Sequence, residues 1–142
     1  MKKILVLFSV FSVLSYSTLF ADWVIDPATL PAKAKSFVAS TFPDAQIWKA
    51  ERDGGKFDVK LSNGVDIDFS ASGDWIKIDA EYIAIPMNVL PNAVASSIKS
   101  KYPEASVIEV EKNFGNFKIK LNNFMELYMS SNGQIVAQKW DD

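Results

Sequence analysis

Phe57-Asp58-Val59-Lys60-Leu61-Ser62-Asn63-Gly64-Val65-Asp66-Ile67-Asp68-Phe69 alternates apolar and polar residues on either side of Ser62-Asn63-Gly64. Alternation at period two describes strands with one buried and one wet face, so the stretch predicts a β-hairpin. Opposed residues share a face, which pairs Leu61 with Val65 and leaves a three-residue loop. The last place of such a loop takes a left-handed residue, and Gly64 fills it without steric cost. This register sets Lys60 opposite Asp66, a favourable cross-strand pair. It also sets Asp58 opposite Asp68, a like-charge conflict.

The run returns sixty positions later as Phe117 to Met129, inside a longer repetition. Leu30-Pro31 and Leu90-Pro91, Phe42-Pro43 and Tyr102-Pro103, Lys60-Leu61 and Lys120-Leu121, and Gly73 and Gly133 all match. About fourteen of the fifty-three aligned pairs from 30/90 to 82/142 are identical, and self-similarity of this kind governs architecture. Asn122-Asn123-Phe124 replaces the first loop, and Phe is a poor left-handed residue. That turn is expected to take another form or to carry strain.

Before each hairpin lies an amphipathic segment. Leu30, Ala34, Phe37, Val38 and Phe42 fall on one face of a helix, as do Leu90, Val94, Ile98 and Tyr102. Pro31 suits the first helical position, and Pro43 ends the helix by disfavouring α geometry at Phe42. Ala45–Arg52 reads as a less regular strand. Trp75 to Asp79 reads as a strand with Ile76 and Ile78 inward and Trp75, Lys77 and Asp79 outward. Trp23 and Ile25 alternate like a small edge strand. Each copy is therefore one helix and about four antiparallel strands. Two copies predict an α+β fold with an antiparallel sheet of about eight strands, two helices on one face and the other face open.

The 142 residues correspond to one domain. The absence of His and Cys removes triad and thiolate catalysis, His/Cys metal sites and disulfides. Met1 to Ala21 has the form of a secretory signal, with Lys2-Lys3 before an apolar segment and a small residue at Ala21. With no Cys near that boundary, a lipoprotein anchor is excluded. Of the fifteen basic residues, Lys2 and Lys3 leave with this segment, so thirteen remain against seventeen acidic ones, a net charge of −4. No basic stripe for nucleic acid occurs. The expected organisation is a signal over 1–21 and one domain over 22–142, built of repeats at about 26–82 and 86–142. The expected location is the periplasm, with no membrane span in the mature form.

The Leu-Pro helix starts, the Phe/Tyr-Pro-x-Ala ends, the aromatic-x-Val/Ile-Lys-Leu-x-Asn strands and the Ser-x-x-Gly turns resemble the PepSY-like family. These are exported bacterial proteins with a fold like that of the beta-lactamase inhibitor proteins. The resemblance spans about Asp26 to Lys139 in both copies. It implies a tandem helix-plus-four-strand scaffold, a periplasmic location and a non-enzymatic, inhibitor-like protein-binding role. It carries no functional residues across, because its motifs mark helix ends, turns and core positions.

Candidate binding residues are therefore sought on the open face. Asp58, Lys60, Asp66, Asp68, Trp75, Lys77 and Asp79 face outward in the first copy. Lys118, Lys120, Glu126, Tyr128, Ile135, Ala137 and Lys139 do so in the second. The face should be negative in one half and positive in the other. The plain explanation is that the halves neutralise each other across the sheet, and the functional one is a dipolar docking surface for a partner of complementary charge. Trp75, Tyr128 and the C-terminal Trp140 are the outward aromatics, the residue type that most often anchors interfaces. Their plain alternative is packing on lysine stems. Lys77 is expected to relieve the Asp58–Asp68 repulsion, with a weak Ca²⁺ site or a cationic partner group as alternatives. Asp66 and Asp68 share a face at the spacing of an inverting glycosidase pair, but a flat, wet face does not raise a carboxyl pKa. No cofactor or metal site is assigned. The sequence reads as a non-enzymatic binding module for an envelope protein or peptide, with a small-ligand or cation-binding periplasmic protein as the second reading.

Overall fold

The computed structural model describes residues 23–141. The expected signal over 1–21 lies outside them. Nine strands form one antiparallel sheet in sequence order: β1 (Trp23–Ile25), β2 (Ile47–Asp53), β3 (Lys56–Leu61), β4 (Asp66–Ser70), β5 (Trp75–Asp79), β6 (Val107–Asn113), β7 (Asn116–Leu121), β8 (Met125–Ser130) and β9 (Ile135–Trp140). Helix α1 spans Ala32–Thr41 and α2 spans Asn92–Lys101. The fold is α+β, as the two alternating hairpins imply. The strand beyond the expected eight is β1, which pairs with β2 through Trp23–Arg52, Val24–Glu51 and Ile25–Ala50. No helix among the described residues is long and apolar enough to cross a membrane.

The helices bury Ala34 and Val38, and Val94, Ala95 and Ile98, against the inner residues of the strands in one continuous core. Strand residues Val59, Ile67, Phe69, Ile78, Val110, Ile119 and Leu127 are fully buried there. Pro31 stands just before the first helical residue of α1, and Phe42 leaves helical geometry ahead of Pro43. The β3–β4 hairpin has the predicted register. Leu61 N–H donates to Val65 O at 2.8 Å, Gly64 N–H donates to Leu61 O at 3.0 Å, and Asp58 faces Asp68. In the second hairpin Phe124 takes a left-handed φ of 66°, so that turn keeps its form and carries the strain.

The repeated Ser-x-x-Gly turn owes its glycine to close packing under a helix start as well as to its conformation. Gly73 and Gly133 have φ of 88° and 90°. A Cβ on Gly73 would lie 2.9 Å from Pro31 Cβ, and one on Gly133 would lie 2.4 Å from Ala93 O. The motif therefore fixes how closely each helix start seats on its β4–β5 or β8–β9 turn.

Two expectations about orientation are overturned, for Trp75 and for Ile135. Trp75 is only 8% exposed and faces the helices, stacked on Phe37 at 6.2 Å between ring centroids. Lys112 covers it with Nζ 3.8 Å from the ring centroid, and burial lowers the pKa of that ammonium. A β-bulge is the cause. Phe69 pairs with Trp75 but Asp68 pairs with Lys77, which leaves Ile76 as an extra residue and turns Trp75 inward. The same shift between Tyr128 and Met129 leaves Val136 extra and turns Ile135 toward the core.

Candidate functional site

The open face consists of two cross-strand rows. One runs Glu51, Asp58, Asp68, Lys77, Glu111, Lys118, Tyr128 and Ala137. The other runs Lys49, Lys60, Asp66, Asp79, Glu109, Lys120, Glu126 and Lys139. The rows bring together Asp58, Asp66, Asp68, Lys77, Lys118, Lys120 and Tyr128 but not Trp75. Trp140, also expected to face outward there, lies on neither row: it pairs with the buried Met125 on the helix side of the sheet and is exposed at the end of the edge strand β9.

The N-terminal half of the face is acidic, as expected, with Glu51, Asp58, Asp66, Asp68 and Asp79 against Lys49, Lys60 and Lys77. The C-terminal half is balanced rather than positive, because Glu109 and Glu111 of β6 join Glu126 against Lys118, Lys120 and Lys139. The strict alternation of Glu109-Val110-Glu111 is the signal that identifies these two acids from sequence.

Lys60 Nζ lies 3.1 Å from Asp66, the predicted pair. Lys77 stands opposite Asp68, and its charge partly offsets the rise that burial causes in that carboxyl's pKa, which relieves part of the conflict. Its Nζ nevertheless pairs with Glu109 at 3.3 Å rather than with either acid. Asp58 Oδ1 is buried without a hydrogen-bond partner. Burial, then repulsion from Asp68 and Asp66, raises the Asp58 pKa above its ordinary 3.8, and burial likewise raises that of Asp68. Among the described residues no group of three or more acidic side chains is arranged to hold a metal ion.

Glu126 stands at the opposite electrostatic extreme. It is 1% exposed although it lies on the open face. Lys139, Lys118 and Lys120 approach it at 3.4, 3.8 and 4.0 Å, and the Tyr128 hydroxyl donates to it. Burial raises its pKa, but the Tyr128 hydrogen bond and the lysines outweigh burial and hold the carboxyl below its ordinary value. Lys120 also pairs with Asp141 at 2.8 Å.

Beside this cluster is a cavity of about 510 Å³ whose lining includes Glu111, Phe114, Lys118, Tyr128 and Val136. Phe114 is fully exposed at 103% and holds a left-handed φ of 47° at the β6–β7 turn. Its counterpart sixty residues earlier is Gly54, at φ 58°. An aromatic residue in that conformation is strained, and it buries nothing in return. The sequence reading missed Phe114. The signal was present as the departure of Phe114-Gly115 from Gly54-Gly55. Seven of the nine lining residues differ from the first copy, among them Phe114 for Gly54, Lys118 for Asp58, Tyr128 for Asp68 and Val136 for Ile76.

Comparison with known proteins agrees with the scaffold. No curated protein matches the chain. A Bacteroides thetaiotaomicron structure described as a "putative calcium-regulated periplasmic protein" superposes with a TM-score of 0.78 at 23% identity, over 83% of this chain and 96% of that one. Two Bacteroides vulgatus structures, both described as a "putative periplasmic protein" and one of them assigned to the DUF2874 family, superpose at 25% identity. Their TM-scores are 0.78 and 0.76, covering 83% and 84% of this chain and 96% and 99% of theirs. The profile of the family described as "Putative beta-lactamase-inhibitor-like, PepSY-like" matches residues 21–67 and 55–137. With that match extending over most of its length, the chain belongs to the PepSY-like family.

Proposed function

We propose that this protein is a non-enzymatic, periplasmic binding module that engages an envelope protein or peptide through the open sheet face, in the manner of an inhibitor. The observation that carries this reading is the gathering of Phe114, Lys118, Tyr128 and Val136 at one cavity. Each replaces a different residue that serves the same scaffold position in the first copy, so folding does not demand these choices. Two aromatic side chains and an aliphatic one beside paired charges make an anchor of the kind found at interface centres. The periplasmic descriptions of the structural neighbours support the location, and the family description supports the inhibitor-like class. The acidic N-terminal half of the face would steer a basic partner surface toward this corner.

Affinity capture from envelope extract, read by mass spectrometry, tests the proposal with Phe114→Ala/Tyr128→Ala as control. The wild type should retain a protein that the control loses by about tenfold or more, the effect of truncating an aromatic anchor. Equal retention of the same proteins by both would sink it. A small ligand in the same cavity is the second reading, because its volume falls in the range of ligand pockets. That reading predicts a bound compound released from the native protein on denaturation.

A further inference from the structure

The chain contains its own example of how one sheet edge accepts another strand. At the junction of its two halves, β5 receives β6 through Lys77–Glu111, Ile78–Val110 and Asp79–Glu109. Sixty residues on, β9 occupies the place of β5, pairing with β8 as β5 pairs with β4, with the same bulge. Its other side is the end of the sheet. The β9 edge is thus the counterpart of the β5 edge that binds β6, and among the described residues nothing fills it.

The backbone polarity of that edge follows from its neighbours. Asp141 N–H donates to Phe124 O on the β8 side. Peptide groups alternate along an antiparallel strand, so Gln138 and Trp140 direct theirs to the free edge. The junction agrees, since Ala80, the counterpart of Trp140, donates its N–H to Ile108 O of β6. Side chains show how this edge differs from the permanent junction. Ile78 is fully buried, whereas its counterpart Gln138 is exposed and accepts a hydrogen bond from the Tyr102 hydroxyl at 2.7 Å. Asp79 faces Glu109 at the junction, but its counterpart Lys139 would meet an acid favourably, and its side chain remains 59% exposed. Val136 and Trp140 add apolar surface at 67% and 63% exposure.

We propose that the β9 edge takes up an extended segment of a partner polypeptide as a tenth, antiparallel strand, with an acidic residue opposite Lys139. Main-chain hydrogen bonds to Gln138 and Trp140 supply the binding, and the Lys139 contact sets the register. The polar substitution at Gln138 keeps the addition reversible. A second folded copy is not the intended occupant: its β6 and β2 are each already paired on both sides, and its free edge strands, β1 and β9, contain no acid to set opposite Lys139. The inference rests on the reading of this chain as a polypeptide binder, but it concerns a different surface.

The probe is a capped peptide with the β6 sequence, Val107–Asn113, which carries Glu109 at the position facing Lys139. It is titrated into ¹⁵N-labelled protein. Saturable amide shifts should centre on β9, and the Gln138 and Trp140 amides should gain protection from exchange. Methylating the peptide nitrogen of Val110 should weaken binding about tenfold, the effect of a lost hydrogen bond and added bulk. Lys139→Glu should weaken it about threefold or more. No saturable shift, equal binding by the methylated peptide, or β9 shifts that follow protein concentration without peptide would each overturn the proposal. The last result would mean that β9 pairs with a second copy. Phe114→Ala, at the β6–β7 turn and outside the β8–β9 ladder, should leave peptide binding unchanged, so the edge and the open-face anchor stand or fall separately.

Discussion

Asp58 lies between Glu51 on β2 and Asp68 on β4, with Oδ1 buried and unpartnered. Its folded pKa is raised, so the charged form is disfavoured in the native state. That penalty is fully present at neutral pH. It disappears as pH falls through the folded value and past the unfolded value near 3.8. Asp58→Asn should therefore raise stability by about 0.5–1 kcal/mol at neutral pH, the size of an opposed like-charge pair. The gain should vanish at about pH 3, where both states are protonated. Denaturant melts of both proteins across this range test the sign, and a variant less stable at neutral pH would show that Asp58 supports the fold. Glu126 has the opposite sign: its depressed pKa contributes stability above the unfolded value that is lost as pH falls through the folded one. The Asp58–Asp68 conflict was legible in the sequence because one glycine fixed the hairpin register. The Lys118–Glu126–Lys139 cluster was not, because side chains that share a face choose partners by reach across strands rather than by sequence spacing.

At the scale of elements, helices, hairpins and the helix-covered face follow from periodicity, and the sequence shows each of them. Bulges do not announce themselves in that pattern. Trp75-Ile76-Lys77-Ile78 reads as clean alternation, yet one extra residue at Ile76 places both Trp75 and Ile78 toward the helices. A large aromatic that gains burial against Phe37 and Lys112 favours this arrangement, at the expense of one unpaired ladder position. Trp75→Ala should consequently lower stability by about 3 kcal/mol, the usual size for truncating a buried Trp. Val136→Ala, at the bulge of the C-terminal half, should change it by no more than about 0.5 kcal/mol, since Val136 projects into solvent. Urea unfolding measures both. A Trp75→Ala variant with wild-type stability would return that residue to the surface.

The whole molecule is governed by the seam between its halves. Only three register pairs join β5 to β6, against five at both β3–β4 and β7–β8. Backbone pairing alone would make this, together with the three-pair β1–β2 ladder at the edge, the weakest line in the sheet. Packing opposes that, because Ile78 and Val110 face each other across the seam, both fully buried in the core that contains α1 and α2. Lys77–Glu109 bridges the same two strands on the open side. A half separated at this line would expose those apolar residues along with a bare strand edge, so the halves should unfold together. Val59→Ala in the first half and Ile119→Ala in the second should each cost about 1–4 kcal/mol and shift one common transition. Far-UV dichroism reports the entire sheet, whereas burial of Trp75 makes part of the tryptophan fluorescence a probe of the first half. Coincident midpoints by both signals are the expected result for each variant. A fluorescence transition that separates from the dichroism transition in Val59→Ala would show instead that the seam is a boundary between two independently stable units.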